Sequence, residues 1–100
     1  MRKTFPLEIP GLKAARVLEG IKRDVRRYLK RERRKTLPEG VDFWDFRCAA
    51  GEDQATAKKV HVAELTLAID LAAQEGWSAL YLEILAQPGL RRRKEPASEE

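Results

Sequence analysis

The hydrophobic period switches back and forth along this chain, and the order of the switches restricts the fold more than any other feature. Residues 2–9 alternate. Phe5, Leu7 and Ile9 fall on one side and Thr4, Pro6 and Glu8 on the other, the period-two pattern of a half-buried strand. Pro10-Gly11 turns the chain. From residue 12 to 35 the spacing is helical, with Leu18, Ile21, Val25 and Tyr28 at steps of three and four. Pro38 and Gly40 close that helix. Residues 41–49 alternate again, with Trp44, Phe46 and Cys48 opposite Val41, Phe43, Asp45 and Arg47. The polar loop Gly51 to Gln54 suits a hairpin into a third alternating stretch, residues 57–63, where Val60 and Val62 oppose Lys59 and His61. Helical spacing returns from Glu64, with Leu65, Ala68, Ile69 and Ala72 on one stripe, and Gly76 is placed as a left-handed residue just past its end. Residues 77–86 alternate once more, up to Pro88-Gly89.

The order is therefore β-α-β-β-α-β, the split βαβ or ferredoxin-like arrangement of the α/β (α+β) class. Two right-handed crossovers put both helices on one face of a four-stranded antiparallel sheet. Trp44 and Phe46 then belong to the core beneath the helices. In that arrangement the first strand is central, and Pro6 conflicts with it because proline has no N–H for the ladder. A bulge at Pro6, or a strand starting after it, is the expected remedy. A chain of 100 residues suits one folded unit, expected over residues 1–90. Residues 91–100, four cations followed by Glu, Pro, Ala, Ser and two more Glu, are expected to be a disordered charged tail.

Several segments resemble a family of bacterial proteins of about this length: RKTFPL (residues 2–7), KRERRK (30–35), LPEGVDFWDF (37–46), HVAE (61–64), Gly76-Trp77 and Pro88-Gly89. The resemblance covers nearly the whole chain and implies a free-standing bacterial protein rather than a module. It implies no activity.

The strongest functional signal is the second half of the first helix. Between residues 22 and 35 stand nine cations against Asp24 and Glu32, a net +7, while the whole chain carries +4. Basicity is local, and the remaining residues sum to −3. Lys22, Arg26, Lys30 and Arg34 make one i, i+4 row, and Arg23, Arg27, Arg31 and Lys35 the next. Six like-charge neighbour pairs cost on the order of 1–3 kcal/mol at low salt, only partly offset by the favourable field at a helix C-terminus. An external polyanion would relieve the strain. Arginine predominates, and its planar fork takes phosphate at two points. Arg23, Arg26, Arg27, Lys30, Arg31 and Arg34 are thus the candidate contacts to RNA or another polyanion. The bland alternative is a solvated helix face.

The uncovered sheet face is the second candidate. Alternation assigns it Phe43, Arg47, Lys59, His61, Trp77 and Tyr81, with Val41 and Leu85 also falling there. His61 and Tyr81 become possible contacts there, either stacking on bases or forming a homodimer or protein-partner interface.

Catalytic and metal chemistry have little to work with. One His and one Cys are present, and alternation puts His61 and Cys48 on opposite faces. No CxxC, HExxH or phosphate-cradling glycine loop occurs. Acylphosphatases share the expected fold class, but they need an arginine-bearing loop after the first strand and an asparagine. Here that loop is Ile9-Pro10-Gly11-Leu12-Lys13, and the chain contains no Asn. No enzyme activity, metal or cofactor is expected. The single cysteine excludes an internal disulfide, and no apolar run is long enough for a signal peptide or a membrane span. A cytoplasmic location without membrane contact is the expectation.

Overall fold

In the computed structural model, which describes residues 1–90, every alternating or helical stretch becomes an element, with shifted ends. The order is β1 (Arg2–Pro6), α1 (Ala14–Arg33), β2 (Phe43–Gly51), β3 (Lys58–Val60), a 3₁₀ turn (Val62–Glu64), α2 (Leu65–Gln74) and β4 (Ala79–Gly89). The tail expected at 91–100 lies outside the described residues.

All neighbouring strands are antiparallel, but their order is β1-β4-β2-β3. This corrects the ferredoxin-like expectation. The first strand is an edge, and β4 and β2 occupy the centre. Each helix still joins two parallel strands that flank a third, so the split connectivity survives while the order does not.

Pro6 supplies the physical reason. Leu7 N–H donates to Ser78 O at 2.9 Å, and Ile84 N–H donates to Met1 O at 2.8 Å. These bonds set the parity: odd-numbered residues of β1 face β4, and even-numbered ones face away from the sheet. Pro6 is even, so its missing donor would have pointed off the edge, and no ladder bond is lost. Neither a bulge nor a later strand start is needed. Pro88 obeys the same rule. Its parity turns its nitrogen toward the β1 side of β4, beyond the stretch that β1 pairs, which starts at Arg2 opposite Glu83.

The core lies between the sheet and the two helices. Leu80, Leu82 and Ile84 of β4 are 0% exposed, and Phe46 and Cys48 of β2 are buried beside them. Val17, Ile21, Val25 and Leu29 of α1 join Leu65, Ile69 and Ala72 of α2 in the same cluster. Both helices therefore cover one face of the sheet. Each large apolar side chain buried here contributes roughly 1.5–3 kcal/mol relative to exposure. Lys22 Nζ of α1 reaches Asp70 Oδ1 of α2 at 2.8 Å and ties the helices together.

The third strand is shorter than the alternation indicated. It stops at Val60 because His61 caps the turn that leads into α2. At the far end of α2 the reading holds. Gly76 has φ +75°, its N–H donates to Ala73 O, and Trp77 N–H donates to Ala72 O, both at 3.1 Å. These two bonds satisfy terminal carbonyls in a Schellman motif. Past the end of α1, the Trp44 indole donates to Lys35 O at 2.9 Å.

Gly51 shows where the hairpin loop folds back. A Cβ at this residue would lie 2.6 Å from Ala57 Cα and 2.8 Å from Ala57 N. Both obstructing atoms are backbone, so the loop itself would have to shift. Gly51→Ala is expected to cost about 1–3 kcal/mol, measured as a lower urea midpoint at unchanged slope.

Candidate nucleic-acid interface

Helix α1 is mounted rigidly, and the mounting divides its nine clustered cations. Its apolar positions Val17, Ile21, Val25 and Leu29 face the sheet, which turns the opposite side to solvent. Tyr28 adds a polar tie, its hydroxyl donating to Ile84 O at 3.3 Å.

Four of the cations are engaged within the protein. Lys22 pairs with Asp70. Lys35 lies beyond the helix and reaches Glu32 Oε2 at 2.9 Å. The Arg33 guanidinium sits 5.2 Å from the Phe46 ring centre. Arg31 lies 5.3 Å from the Tyr28 ring centre, with Nε 3.9 Å from Glu32 Oε2. Glu32 is itself buried, at 8% exposure, and these two cations balance its charge.

The other five, Arg23, Arg26, Arg27, Lys30 and Arg34, are exposed. Their side chains have no ion-pair, hydrogen-bond or ring partner among the described residues. The structure adds one that the charge count passed over. Arg16 is exposed and likewise unpaired, and it stands seven residues before Arg23, which is two helical turns. Arg16, Arg23, Arg27, Lys30 and Arg34 thus follow steps of seven, four, three and four and share one outward stripe. At 1.5 Å per residue the stripe is about 27 Å long. Arg26 and Arg31 flank it. The helical step that leads back from Arg23 would have found Arg16, but the dense charge run begins only at Lys22.

The sheet-face candidates fare differently. His61 is not on the sheet. Its Nδ1 accepts from Ala63 N–H, and its own N–H donates to Glu64 Oε1, both at 3.0 Å. This is a capping box, so the ring is occupied by the backbone it caps. Tyr81 does project from the uncovered face of β4, but it is only 5% exposed. It lies opposite Gly51 in register, where the loop backbone returns over this face. Its hydroxyl donates to Glu83 Oε1 at 2.9 Å. Burial first, and then the Glu83 hydrogen bond and charge, raise its pKa. Tyr81 is therefore buried, and His61 is exposed but lies outside the sheet.

Trp77 precedes β4 and packs partly against the core. Arg47 and Lys59 are exposed as expected. Phe43, at 38% exposure, lays its ring over Gly89, where a Cβ would come within 2.4 Å of it. Leu85, half-buried, lies on the same face opposite Arg47.

With this geometry in hand, the comparisons with known proteins settle the family. A model described as a family of unknown function, DUF6172, matches residues 1–95. The chain belongs to this family. Membership in DUF6172 accounts for a resemblance that runs through nearly the whole chain, and it leaves function to be read from the residues. No curated protein and no solved structure matches the chain.

Among the described residues, no helix is long and apolar enough to cross a membrane. Cys48 is 2% exposed in the core. Burial, reinforced by the charge of Asp45, pushes its thiol up to about 11. The thiolate is the reactive form, so Cys48 should resist a thiol reagent such as DTNB at pH 8. Full reaction is expected only after denaturant is added, and rapid labelling of the native protein would contradict this placement.

Proposed function

We propose that this protein binds RNA along its phosphate backbone through the outward stripe of α1. The observation that carries the reading is the row Arg16, Arg23, Arg27, Lys30 and Arg34: exposed, aligned and unpaired among the described residues. Lys22, Arg31, Arg33 and Lys35 have a carboxylate or a ring beside them, and the cations of the stripe have neither among the described residues. The like-charge repulsion between neighbours there is relieved by phosphates. Arginine forks suit phosphate oxygens, and Arg26 and Arg31 widen the track.

The stripe carries no Asn or Gln, the side chains that read adenine in the DNA major groove. Its cations are assigned to the phosphate backbone, a contact that positions a strand without reading it. Only one side of α1 is free, and α1 itself is packed on the sheet rather than projecting to enter a groove about 12 Å wide. A flexible single strand can follow a row of cations along one side of a helix, which favours RNA over duplex DNA. The uncovered sheet face, where Phe43 and the half-buried Leu85 stand among polar residues, is the second partner surface.

Fluorescence anisotropy of a single-stranded RNA at two salt concentrations tests the reading. Binding should weaken steeply with salt. An Arg23/Arg27/Lys30/Arg34→Gln variant should flatten the log–log slope by about 3, four contacts at roughly 0.7 each. An Arg47/Lys59→Gln variant on the sheet face should leave the slope unchanged. No binding at low salt overturns the proposal. A dimer seen by light scattering and lost in Phe43→Glu would then make the sheet face the working surface.

A further inference from the structure

Beside the stripe, α1 and the edge of the sheet enclose an open depression of about 550 Å³, within the ordinary range of small-ligand sites. Its floor is apolar, made by Phe5 of β1 with Val17 and Ile21 of α1. Ile9 and Leu12, in the loop between these elements, form one wall and are 36% and 50% exposed. On the other side the helix presents Gly20. A glycine within a helix is destabilising by roughly 0.5–1 kcal/mol relative to alanine. Here its would-be Cβ has no neighbour nearer than the Arg23 guanidinium at 4.0 Å. Gly20 also falls at the gap in the cation stripe, four residues after Arg16 and three before Arg23. The rim carries both signs. Arg16, Arg23 and Arg26 stand with Glu19 and Asp24, all exposed and unpaired among the described residues.

We infer that this depression is a nucleobase site, taking one unstacked base of a single-stranded RNA while Arg16 and Arg23 hold the adjoining phosphates. The inference rests on the phosphate-binding reading of the stripe and adds base preference to it. An apolar floor suits the face of a base, and the gap at Gly20 lets the sugar approach the helix closely. Carboxylates at the rim accept from ring N–H and exocyclic amine groups. Guanine offers both donors on one edge, so guanine is the favoured base. The other occupants fit poorly. An added peptide strand would meet the β1 edge where Pro6 has no N–H to give, and an acyl chain would lie in an open hollow beside two carboxylates.

The test compares a short oligouridine, the same strand with one central guanosine, and the same strand with one abasic position, by anisotropy against the full chain. The guanosine strand should bind about tenfold tighter than oligouridine, the range of one stacked and hydrogen-bonded base. Gly20→Leu fills the depression with a good helix former, and its fold is checked by circular dichroism. It should erase the guanosine preference and leave both oligouridine affinity and salt slope unchanged. Leu12→Ser, at an exposed position, is the second variant and should act in the same direction. Equal affinity for all three strands, or a preference that survives Gly20→Leu, overturns the base site and leaves the stripe standing. If no strand binds, the stripe reading fails, and titration with guanosine monophosphate decides the rest: shifted Ile9 and Leu12 methyl signals uphold the site, and unmoved ones overturn it.

Discussion

Everything in this fold hangs on β4. It is the longest strand, and it pairs with β1 along its first half and with β2 from Tyr81 to Gly89. Leu80, Leu82 and Ile84 turn inward with no exposed surface, and both helices pack toward that row. On the reverse side Tyr81 is nearly as deeply covered, so three consecutive residues of one strand are buried. Such a strand must sit inside the sheet, since an edge would expose part of it. Once β4 takes the centre beside β2, only edge positions remain for β1 and β3. The helices then inherit their positions from the strands they connect.

The fixed helix gives the charge pattern its meaning. Cations on a frayed helix would spread apart, and repulsion would fade with distance. Here α1 is held by its apolar face, by Tyr28 and by the Lys22–Asp70 pair, so its charges keep their register. The division among them follows orientation. Lys22, Arg31, Arg33 and Lys35 find carboxylates or rings within the protein, whereas the outward row finds none. This row also continues to Arg16, outside the dense charge run.

The helices, β2 and the glycine after α2 were legible because each rests on a local rule: period, capping or a positive φ. Strand order was not, although the decisive residue was in view. Pro6 signals an edge, and it reads as a defect only when a central first strand is assumed. His61 was misplaced because Val60-His61-Val62 alternates like a strand. Glu64, three residues later, completes a capping box, but histidine is not among the usual N-cap residues, so the local signal was faint. Tyr81 shows a different limit. Alternation assigned its face correctly but says nothing of what returns to cover it. That depends on the absent side chain of Gly51, opposite in the sheet and thirty residues earlier in the chain.

The two prolines and the brevity of β3 also have a consequence for behaviour in a crowd. A polyanion gathers many copies of a basic protein at high local concentration, where open sheet edges invite strand-to-strand polymerisation. One edge of this sheet is interrupted by Pro6, and the other is three residues long with two lysines. Copies bound along a common strand in the way proposed would therefore stand side by side without fusing their sheets.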